Sequence, residues 1–105
     1  MLKKTKKSSS GTSFHGAVIK TTPSKLVKLF GNPTFLNNDG TDKVNIEWEL
    51  EDLDGNVITI YDWKEGRPVS MDEVIEFHIG ALSGYDTLNA KSNIHDTLKN
   101  KKWNL

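Results

Sequence analysis

The chain has 105 residues, 35% of them hydrophobic and 27% charged, with no cysteine and a formal net charge of zero. That length fits a single core, and no apolar run approaches the roughly 18 residues of a membrane helix or forms a secretory h-region. Without cysteine there is neither a disulfide framework nor a thiolate zinc site, so the expected setting is intracellular, with no export through a signal peptide and no membrane contact.

The neutral total hides two basic ends and an acidic middle. Between Asp42 and Glu76 eleven acidic residues stand against three basic ones, a local balance of −8. Residues 1–12 carry Lys3, Lys4, Lys6 and Lys7 among Ser and Gly and read as a flexible basic arm outside the core. Such an arm is solubilising, or it makes weak, salt-sensitive contact with nucleic acid. Residues 13–105 read as one α+β domain.

"SFHGAVIKT" predicts a strand over residues 13–21 with a bulge at Gly16. Thr22 and Pro23 then cap and open a helix whose apolar residues are Leu26, Val27, Leu29 and Phe30, and Gly31 stops it. "NNDGTD" is a polar loop. Two alternating runs flank Asp52-Leu53-Asp54-Gly55, which fits a type I turn closed by a glycine bulge. That loop length pairs Leu50 with Ile58 and Trp48 with Ile60. It places Val44, Ile46, Trp48, Leu50, Ile58 and Ile60 on a core face, and Glu47, Glu49, Glu51, Val57, Thr59, Tyr61 and Trp63 on the opposite one. Asp62 points inward and needs a partner, either Lys64, Arg67 or a loop amide.

"EVIEFHIGA" predicts a further strand with Ile75, Phe77 and Ile79 inward and Glu76 and His78 outward. A helix follows, capped by Ser83 or Asp86, with Leu88, Ile94 and Leu98 on its apolar side. The order β-α-β-β-β-α predicts an antiparallel sheet of about four strands with two helices on one face.

The candidate site is the outer sheet face and the loop beside it. Tyr61, Trp63, Glu76 and His78 share that face, and Gly80, Ser83 and Gly84 lead from it into a helix N-terminus, where an anion is accepted by backbone amides. Enzyme chemistry is not expected. His78 and Glu76 point the same way without being aimed at each other, Asp62-x-Lys64 lacks a nearby second acid for a nuclease site, and His15, His78 and His95 lack ligand spacing. Neither a metal nor a cofactor is predicted.

Through "TTPSKLVKLFGNP", "EWELEDLDGNVITIYDWKEGR" and "EFHIGA" the chain resembles small uncharacterised proteins of bacteriophages and large DNA viruses. The resemblance spans roughly residues 16–84 and implies a viral accessory or virion protein, located in the host cytoplasm or the virion, without implying an activity. The expected function is a non-enzymatic binding module that meets a host or viral protein, or a second copy as a homodimer, through the outer face and loop. One alternative is a nucleotide- or phosphate-binding protein that sequesters a host signalling nucleotide. Another rests on charge: an acidic inhibitor that mimics nucleic acid, built on Glu47, Glu49 and Glu51, or a virion protein contacting nucleic acid through the lysine arm.

Overall fold

The computed structural model describes residues 2–100. Met1 of the basic arm and residues 101–105 of the basic C-terminal end lie outside the described residues. The elements follow in the order β1 (Lys3–Lys4), β2 (Ser13–Thr21), α1 (Pro23–Phe30), β3 (Phe35–Leu36), β4 (Ile46–Glu51), β5 (Val57–Tyr61), β6 (Ile75–Ala81) and α2 (Gly84–Asn100). Among the described residues the fold is α+β, an antiparallel sheet with two helices, and neither helix is long and apolar enough to cross a membrane.

The β4–β5 hairpin has the register that its turn chemistry dictates. Asp52 Oδ1 accepts from the amides of Asp54 at 3.0 Å and Asn56 at 2.9 Å, and Gly55 takes φ 83°, which only a residue without Cβ adopts at no strain. Leu50 therefore faces Ile58 and Trp48 faces Ile60, and the alternation buries Ile46, Trp48, Leu50, Ile58 and Ile60 completely. Phe77 and Ile79 of β6, Leu26 of α1, and Ala90 and Ile94 of α2 join the same cluster. Trp48 packs edge-on against Phe77 and donates its indole N–H to the Gly31 carbonyl at 3.0 Å, so the end of α1 is tied to the sheet by the largest core side chain.

The sheet has six strands where the sequence predicts about four, in the order β1-β4-β5-β6-β2, with β3 also paired to β4. The two additional strands hold two residues each and both line the free edge of β4. Lys3 and Lys4 pair with Glu51 and Leu50, Phe35 and Leu36 pair with Glu47 and Ile46, and between them the Thr5 amide donates to the Glu49 carbonyl while the Glu49 amide donates to Thr34 Oγ1. An edge that would otherwise template pairing with another chain is thereby covered.

Three expectations change. The segment 1–12, expected outside the core, places Leu2 within it and lays Lys3–Lys4 along the sheet. Leu88, expected on the buried side of α2 with Ile94 and Leu98, is 63% exposed, because Thr87 and Ala90 take the inward positions in its part of the helix, while Ile94 is buried and Leu98 packs against the core. Val44 is only half-buried.

Asp62, fully buried, joins two long loops to this sheet. Its Oδ1 accepts from the amides of Asn45 (2.8 Å) and Ile46 (2.9 Å), and its Oδ2 accepts from Asn45 Nδ2 (2.9 Å). Asn45 Nδ2 also donates to the Arg67 carbonyl at 3.0 Å, and Asn45 Oδ1 accepts from the Gly40 amide at 3.0 Å. The partners are backbone amides and Asn45, not the side chains of Lys64 or Arg67. Nearby, Asn38 both donates to and accepts from the Val69 backbone at 2.7 Å, pinning the same two loops a second time. Asp62→Ala strands two buried backbone amides and one of the two Asn45 Nδ2 protons, so urea unfolding should show a loss of about 2–5 kcal/mol. A loss below about 1 kcal/mol would mean that water replaces the carboxylate.

Candidate functional site

Antiparallel pairing brings a line of side chains from five strands onto the face away from the core. Cross-strand neighbours run Phe35, Glu47, Tyr61, His78 and Val18, and a second line runs Glu49, Thr59, Gly80 and Phe14. From Phe14 to Val18, β2 advances four residues while β6 advances two from Gly80 to His78. The bulge, with Gly16 at φ 94°, carries Phe14 back over the sheet.

There Phe14 stacks on His78 with ring centroids 3.9 Å apart and planes 17° from parallel. Trp63 lies 6.0 Å from the same imidazole at 27°, and Tyr61 meets both Trp63 and His78 edge-on. The rings fill one another's contact surfaces and leave a platform, not an open cage. Phe14 (41%), Trp63 (39%) and Phe35 (42%) keep large apolar surface in solvent. Lys43 and Lys64 place their ammonium groups 5.9 and 5.5 Å from the Trp63 ring centroid.

Charge on the face is unevenly compensated. Lys20 stands opposite Glu76, and Lys7 pairs with Glu51 at 3.5 Å while donating to the Gly55 carbonyl at 2.9 Å. A hydrogen bond from Thr5 and the nearby lysines hold the Glu51 carboxyl below its ordinary range. Glu47 and Glu49 enter no ion pair among the described residues. Burial, and then the charge of Glu49, push the Glu47 carboxyl up. Burial and the Glu47 charge likewise push the Tyr61 phenol up. His78 is held below its ordinary value of 6.5 by burial, against the pull of Glu76, which favours the neutral form of the imidazole beside Phe14 and Trp63.

Of the residues predicted from sequence, Tyr61, Trp63 and His78 are brought into mutual contact, and Glu76 lies exposed beside them. The glycine-rich stretch divides differently. Gly80 lies inside β6, where a Cβ would collide with Thr59 Oγ1 and come within 3.5 Å of Tyr61. Its smallness serves the packing of the face. Gly84 opens α2 against His15, and Ser83 caps the helix by accepting from the Asp86 amide at 3.2 Å. Asp86 already brings negative charge to that first turn, which disfavours an incoming anion. Among the arm lysines, Lys3 and Lys7 are directed to Glu51, and Lys4 lies alongside Gly31.

Sequence reasoning did not include Phe14 or Phe35 in the site. Phe14 carries a signal, since it alternates with Val18 and Lys20 on the outward side of β2. Phe35 carries none, because a two-residue strand shows no alternation. Among the described residues no group of three or more His, Cys, Asp or Glu side chains is placed to hold a metal ion. No family model matches the chain, and neither a curated protein nor a solved structure matches it.

Two outcomes follow from this geometry. Gly80→Ala should destabilise the fold by about 1–3 kcal/mol, and adding Thr59→Ala should recover most of the loss, as a double-mutant cycle in urea would read. Glu47→Gln should raise the melting temperature at pH 7. The raised pKa means that the ionised form is disfavoured in the fold, so the gain is full above that pKa and shrinks as pH falls toward 4.5, where the native glutamate itself takes up a proton.

Proposed function

We propose that this protein is a non-enzymatic binding module that engages another macromolecule through the outer face of its sheet. The observation that carries this reading is the platform of Phe14, Tyr61, Trp63 and His78. Four rings from three parts of the chain are gathered on the face opposite the core, and two of them keep about two-fifths of their surface in solvent. A core-only role would turn such rings inward, whereas a contiguous aromatic patch with a polar surround is the composition of a recognition surface. A macromolecular partner also suits its openness, because a flat platform lacks the enclosure that small ligands use. The resemblance to small phage and viral proteins supplies a setting for this reading, a viral accessory or virion role, and leaves its chemistry to the face.

The rings outside the buried core can be changed without touching it. Phe14→Ser combined with Trp63→Ala should leave the circular dichroism spectrum and melting cooperativity intact and abolish affinity capture of the partner by the full-length chain. Tyr85→Ser with Leu88→Ser, on the exposed side of α2, should leave capture unchanged. The opposite pattern, loss with the helix variant and retention with the ring variant, would overturn the assignment of the face.

A further inference from the structure

Resting on the sheet-face reading, we infer that the partner presents an extended basic segment, whose arginine or lysine head groups lie over Glu47 and Glu49 beside Phe35 and Tyr61. The outer face supplies three separate reasons. Glu47 lies between Phe35 and Tyr61, its pairing neighbours on either side, and Glu49 follows two residues along the same strand opposite Thr59, so two carboxylates share the outer face, one of them between aromatic residues, and neither enters an ion pair among the described residues. Carboxylates beside aromatic faces match a guanidinium or ammonium, which is attracted both to the charge and to the ring quadrupole. The third glutamate of the strand, Glu51, shows the matched state within the molecule itself. Lys3 pairs opposite it in an extended strand and Lys7 bridges to it, so the chain's own basic segment, whose backbone runs on to the Glu49 carbonyl through Thr5, brings its lysine charge to Glu51 and leaves the Glu47 and Glu49 carboxylates unserved. Trp63 completes the pattern, with Lys43 and Lys64 already over its ring.

The fold itself does not favour this charge. Burial and Glu49 both disfavour ionised Glu47, so the carboxylate is held against the preference of its surroundings. Residues that lower stability where they stand are characteristic of binding sites, which are selected for the bound state.

The test titrates the full-length, isotopically labelled chain with nine-residue arginine-rich, lysine-rich and glutamate-rich peptides. NMR amide shifts map the contact and calorimetry measures affinity. The basic peptides should shift Phe35, Glu47, Glu49 and Tyr61, weaken with added salt, and bind at least about tenfold less tightly to the Glu47→Gln/Glu49→Gln chain. That variant keeps the fold, since it removes a repulsion. Equal binding of the acidic peptide, an unchanged affinity in the variant, or shifts confined to Glu51 and β1 would each overturn the inference. So would a chain whose face is sealed by a second copy, seen as a dimer mass with no peptide shifts. Partner capture lost in the Phe14→Ser/Trp63→Ala chain but retained in Glu47→Gln/Glu49→Gln would defeat the basic segment and leave the sheet face standing. Capture retained in both would defeat the two together.

Discussion

The buried carboxylate of Asp62 is the constraint on which both halves of the molecule depend. A fully desolvated acid is tolerated only when its lone pairs are matched, and here two backbone amides and the Asn45 side chain match them. Those donors fix where β4 begins and where β5 ends. They also fix the direction of the next residue: with Asp62 turned inward, Trp63 must turn outward. Lys64 at φ 54°, its amide bonded to the Lys43 carbonyl at 2.7 Å, then bends the chain away. A polar knot on the core side thus aims the indole on the exposed side.

The outer face has a second determinant, glycine. Gly16 creates the bulge that returns Phe14 over His78, and Gly80 removes a side chain where Thr59 and Tyr61 close in. Each acts through aromatic packing, and the platform depends on backbone shape as much as on its rings.

Legibility in the sequence followed side-chain pattern. The hairpin register was readable because Asp52 and Gly55 admit one loop length, and that register sorts every residue of two strands by face. Tyr61 and Trp63 could be grouped on that basis, and His78 joined them through the alternation of its own strand. The edge strands could not be foreseen, because β1 and β3 bind β4 through backbone groups over two residues each, a distance too short for periodicity. In α2, Ile94 is buried and Leu98 packs against the core as their spacing predicts, whereas Leu88 is exposed because Thr87 and Ala90 take the inward positions of the first turns. Phe14 fell between these cases, its facing encoded by alternation and its contact with His78 decided by a bulge.

The covering of the β4 edge also bears on how the chain folds. Residues 3–4 pair with residues 50–51, whereas β2, which follows them in sequence, pairs with β6 at the opposite side of the sheet. The segment between them must therefore span the end of the finished sheet. The hairpin can close early over a short loop, but β1 has no docking edge until β4 exists, and its own loop closure is long and entropically unfavourable. Of the strands in this sheet, the first to leave the ribosome is among the last able to dock. Until it does, the most acidic strand of the protein keeps the part of its edge beyond β3, at residues 49–51, open, and the lysines that will cover it supply the long-range attraction that brings the segment home.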